Sequence, residues 1–431
     1  MEVVPTLKSY RKYLFFWSGQ LFSLLGSMVV HFTIIWWIQI KTGSPIFLSL
    51  GQFFYFLPIL LAMPIAGVFS DKWKRKNIIV LVDSLQAYTT IILIIFFIFD
   101  VTNIWLVFLF IGLRSIFQAF HQPAVAAITP TMVPKNKLNK INSINFLFLG
   151  VIQLIGPALG AVLWNFFPIQ IILWVDVITF FIALIPLIII RIPLVRDHSE
   201  QAEKNGFIQD FKIGFKALKL VPGLIILLTM SAFVNFLIQP LGTLLPYYVN
   251  TIHQGQAFEY ALILIFLQGG MIIGAFLSFI KKEWKHKIAI TFYGISFAGV
   301  GYAILALIPQ GLFLYIGVTL MSMGFIIPII NIIYQTILQT NVPHDKLGRV
   351  VSIDSTLSMA ISPLGSVMAG PLTELIGIHL LFLSCGIATI TITMALYFFT
   401  NIRYVKYNHH EVSESSEDFE DTKIELPDLI E

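Results

Sequence analysis

Twelve apolar stretches, each long enough to cross a lipid bilayer, constrain the fold of this chain more than any other feature of its sequence. Charged residues make up 12% of the chain, against about 25% in a typical soluble protein. The sequence therefore predicts an all-α membrane protein with twelve transmembrane helices. The stretches lie near 14–40, 46–70, 78–99, 104–128, 142–166, 169–190, 223–249, 257–280, 288–308, 311–338, 350–373 and 379–401.

The lysine and arginine residues predict how these helices are oriented. All but two of the 27 basic residues lie in the terminal segments or in loops that follow even-numbered spans, the exceptions being Lys41 and Arg114. Because positive charge is retained on the cytoplasmic side, both termini are expected to be cytoplasmic in a multi-pass protein of the cell membrane. The same distribution gives no indication of nucleic-acid binding.

A short internal repeat links the loops after the fourth and tenth spans. Residues 131–144 recur 209 residues later as 340–353, with seven identities in fourteen positions, and Gly156 maps onto Gly365 at the same offset. Because six spans separate the two copies, they predict two parallel six-helix repeats, as in the major facilitator fold. The expected domains are an N-terminal half (1–191), a linker (192–222), a C-terminal half (223–402) and a tail (403–431).

The linker and the tail differ in composition from the spans. The pattern of residues 207–220 predicts an amphipathic surface helix within the linker. Residues 411–431 carry nine acidic residues and one lysine, which predicts a disordered cytoplasmic tail that is either a solvating extension or an interaction segment.

Several function classes are excluded by what the sequence lacks. The single cysteine, Cys385, excludes a disulfide framework and a cysteine-based metal centre. The chain has no phosphate-binding G-x-x-x-x-G-K-[ST] loop, so it cannot itself drive pumping by ATP hydrolysis. We expect no enzymatic activity, no cofactor and no metal.

The loop after the second span, Gly67-Val-Phe-Ser-Asp71-Lys72-Trp-Lys-Arg75-Lys76, resembles the major facilitator signature G-x-x-x-D-[RK]-x-x-R-[RK] at every fixed position. The resemblance implies that Asp71 lies near the start of the eleventh helix, where it would latch the two halves in the outward-facing state. The alternative is a basic loop that only sets topology. After the eighth span the acidic position is Ser278, so a symmetric latch is not expected.

Arg114 lies near the middle of the fourth span, with Gln118 one turn later. An arginine within the membrane normally faces a cavity or a counter-ion. The segment resembles the family's R-x-x-x-Q-G pattern, which is associated with proton transfer, with Ala119 in place of glycine. Arg114 would act on the proton affinity of a nearby carboxylate; a purely structural ion pair is the alternative.

The fifth span contains Gly156-Pro157-Ala-Leu-Gly160, with Ala161 following. This segment resembles the antiporter signature ending in G-P-x-x-G-G, which is typical of exporters in the superfamily. Small residues one turn apart also allow tight helix packing in membrane proteins of other kinds.

Proton exchange requires an acidic side chain that is alternately protonated and ionised. The candidates within the spans are Asp83, Asp176 and Asp354; gating or helix capping is as reasonable for Asp83 and Asp354. His31 titrates in a suitable range, although a packing role is the simpler interpretation. Polar residues expected to line a substrate cavity are His31, Gln39, Gln153, Asn235, Gln239, Gln268, Asn331 and Gln335.

Across residues 10–402 the chain resembles the macrolide-efflux branch of the drug:proton antiporters of the major facilitator superfamily. The segments that carry the resemblance are 17–20, 23–26, 42–44, 67–76, 114–116, 120–123, 133–134, 176–177 and 347–349. It implies a secondary active transporter in the lipid bilayer that exports amphiphilic small molecules in exchange for protons, and we expect a monomer. Alternatives are an exporter of a siderophore or lipid, a proton-coupled importer, and a transport-dead sensor or scaffold.

Overall fold

The computed structural model describes residues 6–190, 216, 218, 221–281 and 284–405. The predicted amphipathic helix at 207–220 falls outside these residues except for Lys216, which is helical and exposed, and Leu218, which is helical and buried. The acidic tail 411–431 also lies outside them. The four domain boundaries therefore remain predictions.

Twelve long helices account for most of the described chain, and each is long and apolar enough to cross a membrane. This confirms the predicted number of spans. The helices are α1 (Leu7–Thr42), α2 (Pro45–Lys72), α3 (Arg75–Ile98), α4 (Ile104–Met132), α5 (Lys135–Phe166), α6 (Trp174–Ile189, preceded by a helical turn Ile169–Ile172), α7 (Leu224–Tyr247), α8 (Ala257–Ile280), α9 (Lys287–Leu305), α10 (Phe313–Asn341), α11 (His344–Ile376) and α12 (Ile378–Phe399).

Helices α1, α5 and α11 begin six or seven residues before the predicted apolar stretches. Their first turns carry polar and basic residues, which hydropathy counts as loop but which form helix readily at an aqueous interface. The end of the bundle where these turns lie, together with the other lysine- and arginine-rich loops, is called here the basic end. The opposite end is called the distal end.

The helices pack as two repeats of six. Within the first repeat α1 contacts α5 and α6, and α4 contacts α2 and α3; within the second, α7 contacts α11, and α10 contacts α8 and α9. The repeats meet where α2 packs on α11 and where α5 packs on α8. These two contacts are equivalent under the internal repeat, because α8 corresponds to α2 and α11 to α5.

A matching pair of glycines supports this equivalence. A Cβ on Gly156 would lie 2.6 Å from Met28 Cβ on α1, and a Cβ on Gly365 would lie 2.8 Å from Gln239 Cβ on α7. In each repeat the fifth helix therefore approaches the first at a position where a side chain does not fit.

The two repeats are held together closely at the distal end. A Cβ on Gly370 of α11 would lie 2.6 Å from the carbonyl oxygen of Pro45 and from Ile46 Cα, at the start of α2. Gln39 Nε2 donates hydrogen bonds to Asn250 Oδ1 (3.1 Å) and Thr251 Oγ1 (2.9 Å) across the same boundary.

The basic end is more open at the positions the structure describes. An added Cβ would meet nothing within 4 Å at Gly67, near the end of α2, or at Gly348, near the start of α11. The Gln39 hydrogen bonds between the repeats lie at the distal end, and that of Gln268 with Gln153 (3.2 Å) lies near the middle of α5 and α8. The repeats therefore pack more closely at Gly370, at the distal end, than at Gly67 and Gly348.

Candidate functional site

A buried ion pair joins α4 to α6. Arg114 Nη1 lies 2.6 Å from Asp176 Oδ2, and the two side chains are only 12% and 7% exposed. An arginine keeps its charge inside proteins. The pairing of Arg114 with a carboxylate therefore leaves this part of the membrane interior neutral. Of the three acidic candidates, Asp176 is the one that supplies the carboxylate.

Two hydroxyl groups complete the surroundings of the Asp176 carboxylate. Thr90 on α3 donates to Oδ2 (2.7 Å), and Ser27 on α1 donates to Oδ1 (3.1 Å). Arg114 also donates to the Thr90 hydroxyl. Four helices thus contribute to one network, in which both oxygens of Asp176 accept hydrogen bonds.

The ion pair lies beside a cavity of about 360 Å³ within the first repeat. His31 lines it, with its ring centroid 5.1 Å from that of Tyr55. Gln86 Nε2 donates to Gln118 Oε1 across it (3.4 Å). The polar side chains of the lining are Ser27, His31, Tyr55, Gln86, Arg114, Gln118, Gln122 and Gln153.

The second acidic candidate, Asp83, has a different partner. Its Oδ1 lies 3.3 Å from Nε2 of His121 on α4, and the same nitrogen lies 2.8 Å from Oε1 of Gln20 on α1. Sequence reasoning did not single out His121 as a functional residue. Its position three residues after Gln118 places it on the helix face that also carries Arg114, which is the signal that would have found it.

The third acidic candidate, Asp354, joins α11 to α10. Tyr334 donates from its hydroxyl to Asp354 Oδ1 (2.8 Å). Because α11 begins at His344, Asp354 lies ten residues inside the helix and is deeper than the apolar pattern indicated. Because α10 and α11 both belong to the second repeat, Asp354 is separate from the Arg114–Asp176 pair of the first repeat.

A second cavity, of about 180 Å³, lies among α7, α9, α10 and α12. Most of its lining is aliphatic, and its polar groups are all uncharged. They are Ser231, Asn235, Thr291, Tyr302, Asn331, Tyr334 and Thr389. The linings of the two cavities therefore differ: the first contains Arg114 and several amides, and the second is mainly apolar.

Four of the eight polar residues expected to line a cavity do so. His31 and Gln153 line the first cavity, and Asn235 and Asn331 line the second. The others connect helices or lie apart: Gln39 bonds Asn250 and Thr251, Gln239 bonds Ser362 (2.9 Å), Gln268 bonds Gln153, and Gln335 is exposed on α10 outside both linings.

The glycines of the antiporter-like segment form a seam between α5 and α1. Besides the contact of Gly156 with Met28, a Cβ on Gly160 would lie 2.7 Å from Phe32 Cδ1. Pro157 lies inside α5, between them. Substitutions at either glycine would push apart two helices that border the first cavity.

The basic residues of the loop signature bind helix ends. Arg75 donates to the carbonyl oxygen of Ala127 on α4 (2.7 Å), and Lys76 donates to that of Ile190 after α6 (2.7 Å). Cations are favourable at the carboxyl ends of helices. The side chains of Asp71 and Lys72 lie outside the described residues, so the latch remains a prediction.

No metal centre is formed by the described residues, which contain no group of three or more His, Cys, Asp or Glu side chains placed to hold an ion. The site is thus built from one ion pair, one histidine–carboxylate pair and neutral polar groups.

Comparison with known proteins assigns the architecture to a family. The sequence model of the Major Facilitator Superfamily matches residues 16–366. The chain belongs to the Major Facilitator Superfamily. It is therefore a membrane transporter of this superfamily, and the predicted fold is confirmed.

Relatives in the superfamily cover almost the whole chain. Macrolide efflux protein A of Streptococcus pyogenes is 28% identical over 392 residues, which is 91% of this chain and 96% of that protein. The staphyloferrin A transporter of Staphylococcus aureus is 24% identical over 390 residues, covering 89% and 95%. The predicted resemblance to macrolide-efflux proteins is thereby confirmed.

Among solved structures, a bacterial homologue of the human lysosomal transporter Spinster, in an inward-facing and unoccupied conformation, superimposes with a TM-score of 0.66. It is 15% identical, and the match covers 91% of this chain and 97% of that chain. At this identity the similarity supports the fold alone.

Proposed function

We propose that this transporter exports amphiphilic small molecules, of macrolide or multidrug type, and exchanges them for protons by alternating access. The observation that carries the proposal is the Arg114–Asp176 ion pair, whose arginine lines the first cavity. Protonation of Asp176 would end the ion pair, leaving the Arg114 charge without a counter-ion. A rearrangement of the repeats around the unpaired Arg114 charge would then lower the free energy.

The two cavities support an amphiphilic substrate. The lining of the first cavity offers amides, two hydroxyl groups and the charged Arg114, whereas that of the second is mainly aliphatic with a few neutral polar groups. Specific binding sites for small molecules combine apolar walls with a small number of polar groups. A molecule with a polar and an apolar part matches this pair of surfaces.

Export is supported by two observations. The relatives named Macrolide efflux protein A align over 91% of the chain. The Gly156-Pro157-Ala-Leu-Gly160 segment forms the α5–α1 seam beside the first cavity, and it resembles the signature typical of exporters. We propose that the basic end faces the cytoplasm, that the protein acts as a monomer in the cell membrane, and that Asp71 latches the outward-facing state.

The proposal is tested in a drug-susceptible host that lacks its own efflux pumps. Expression of the chain should raise resistance to erythromycin, and a protonophore should abolish the gain. Asp176→Asn should abolish it as well while the protein remains in the membrane. Resistance that persists after the proton gradient is collapsed would contradict proton exchange.

A siderophore is the second candidate substrate, because the staphyloferrin A transporter aligns over 89% of this chain. Secretion of a labelled polycarboxylate siderophore from the same host decides between them. A transport-dead sensor or scaffold is tested by deleting 411–431: an exporter should keep its activity, whereas a scaffold that signals through the tail should lose its effect.

A further inference from the structure

The Asp83–His121 pair lies at a junction of three helices and is well shielded from solvent. Asp83 on α3 and Gln20 on α1 are 5% and 7% exposed, while the His121 side chain on α4 is 17% exposed. His121 Nε2 lies within 3.3 Å of Asp83 Oδ1 and 2.8 Å of Gln20 Oε1. Asp83 and Gln20 are therefore more enclosed than His121.

The hydrogen bonds at this junction are incomplete. Asp83 Oδ2 and Gln20 Nε2 are buried and have no hydrogen-bond partner among the described residues. An ionised carboxylate that is buried with an unpartnered oxygen raises the free energy of the folded protein. One proton shared by the pair, either on the carboxyl group or on the imidazole, makes it neutral, whereas loss of that proton leaves one negative charge.

Other charged groups near the pair are already engaged. Arg114 of α4 is paired with Asp176 of α6. Several other titratable groups on the adjoining helices have partners of their own: Arg75 the carbonyl of Ala127, Lys76 that of Ile190, Tyr13 the Thr129 hydroxyl, Tyr55 the His31 ring, and Lys137 the Tyr10 ring. The side chains of Lys8, Arg11, Lys12 and Tyr88 are exposed on the outside of the bundle.

The two carboxylate sites are stacked along the α3–α4 pair. Arg114 and His121 are seven residues apart on α4, which corresponds to about 10 Å along the helix axis. The Gln86–Gln118 hydrogen bond lies between them. Because α3 begins at the basic end with Arg75, Asp83 lies nearer that end than Thr90 and its partner Asp176.

We infer that Asp83 and His121 form a second proton-binding site, which holds one proton as a pair and exchanges it with the compartment at the basic end. The inference rests on the proposed proton exchange and specifies where the outgoing proton is held. His121 acts here as a proton-binding group, and Gln20 positions its Nε2.

The charges of the Arg114–Asp176 pair and the Asp83–His121 pair explain how a proton bound at the first pair causes release of a proton from the second. In the resting state Arg114 and Asp176 sum to zero, and so does the singly protonated Asp83–His121 pair. When a proton from the distal side binds Asp176, an O–H bond forms and the Arg114 charge is no longer balanced. The second site then releases its proton to water at the basic end, as its N–H or O–H bond breaks, and its negative charge restores neutrality.

An infrared experiment tests the site without a transported substrate. Spectra of the purified full-length protein in lipid, recorded as the pH is changed, should show the C=O stretch of a protonated carboxyl group that is lost in Asp83→Asn. In His121→Gln the midpoint of that signal should move by about one pH unit or more, because interacting groups titrate as a pair. Asp100→Asn and His286→Gln, exposed residues at the distal turn and the basic end, are the matched controls.

A transport experiment tests the role of the site. In proteoliposomes with labelled erythromycin, the accumulation ratio supported by a gradient of one pH unit should fall about tenfold in Asp83→Asn and His121→Gln, because one exchanged proton contributes one factor of ten. Efflux down a concentration gradient should continue. If His121 only holds Gln20 in place, the glutamine variant, whose amide can donate the same hydrogen bond, will keep the wild-type ratio and overturn the inference.

The outcomes separate this inference from the proposed function. If the wild-type protein exchanges erythromycin for protons and both variants keep its stoichiometry and pH profile, the second site is wrong and the proposed function stands. If the wild type does not exchange protons at all, the proposed function is wrong, and an infrared signal unchanged by Asp83→Asn would overturn the site independently.

Discussion

Phe32 of α1 and Tyr260 of α8 stack face to face across the boundary between the two repeats. Their ring centroids are 5.3 Å apart and their planes are 17° apart. Trp36, one turn after Phe32, extends the stack, with its centroid 5.5 Å from that of Tyr260. All three rings are almost completely buried, and Gly160 leaves room for Phe32. The stack is therefore a seal made by side chains at the distal end.

Replacing Tyr260 by leucine should loosen this seal. Aromatic pairs contribute about 1 kcal/mol beyond their buried area, so the population open at the distal end should rise about fivefold. In a Cys385→Ser background, the labelling rate of Ala161→Cys by a membrane-impermeant maleimide measures that opening, because Ala161 is fully buried beside Gly160. Tyr315→Leu, an exposed position on α10, is the control. An unchanged labelling rate would show that the rings do not hold the repeats together.

Removing one partner of the Arg114–Asp176 pair should destabilise the protein strongly. An uncompensated buried charge costs about 3–5 kcal/mol, so Arg114→Ala should lower the melting temperature of the detergent-purified protein. The double variant Arg114→Met/Asp176→Leu, which removes both charges, should recover most of that stability while proton-driven export stays absent. Recovery of export in the double variant would remove the ion pair from the mechanism.

Asp71→Asn tests the predicted latch. Loss of a carboxylate at a helix N-terminus costs about 1 kcal/mol, and the state that it stabilises should become about fivefold less populated. Export should fall while the amount of protein in the membrane is unchanged, as measured by transport and by quantitative blotting of the same membranes. Equal transport in wild type and Asp71→Asn would leave this loop with a topological role only.

His253 predicts an acid-sensitive contact at the distal end. It follows α7, and its Nδ1 accepts a hydrogen bond from the backbone N–H of Gly311 (3.3 Å). Burial, and then the nearby His379, lower the pKa of His253 from 6.5 to about 4. Since the folded protein favours the neutral ring, this contribution to stability is complete above pH 6.5 and is lost as the pH falls towards 4.

The melting temperature should accordingly fall between pH 6.5 and 4 more steeply in the wild type than in His253→Gln, whose side-chain oxygen can accept the same hydrogen bond without titrating. His286→Gln, at an exposed position, should follow the wild-type curve. Parallel curves for the wild type and His253→Gln would mean that this histidine does not sense acid.

Gly156→Ala should destabilise the seam between α5 and α1. The added methyl group would lie 2.6 Å from Met28 Cβ, and such overpacking costs about 1–3 kcal/mol. Gly269→Ala is a matched control, because an added Cβ there meets nothing within 4 Å. Similar melting temperatures for both variants would show that the seam yields without cost.

The number of helices was predictable because hydropathy alone indicates twelve membrane-spanning segments. The residues at which the helices begin at the basic end were not predictable in this way. The Lys135-Asn-Lys-Leu-Asn-Lys140 segment is polar, yet it forms the first turns of α5. Hydropathy reports which residues lie in lipid, and helix formation continues beyond that boundary into the interface.

The sequence predicted that Arg114 has an acidic partner, but it did not predict which side chains meet at the candidate site. A buried arginine needs a carboxylate, so a partner for Arg114 was expected, but the choice of Asp176 depends on α6 packing beside α3 and near α4. His121 was missed because its importance comes from Asp83 on another helix. Gln39 was expected in a cavity and instead bonds the opposite repeat, since amides serve both purposes equally well.

Gly370, which lies against the backbone of Pro45 and Ile46, has an implication for how such transporters diversify. Gly370 lets main chain pack on main chain, and the side chains that complete the distal closure, Phe32, Tyr260 and Gln39, line neither cavity. The walls of the cavities are then free to change their chemistry over evolutionary time without loss of the shut state. Transporters built this way can acquire new substrates while the distal closure stays the same.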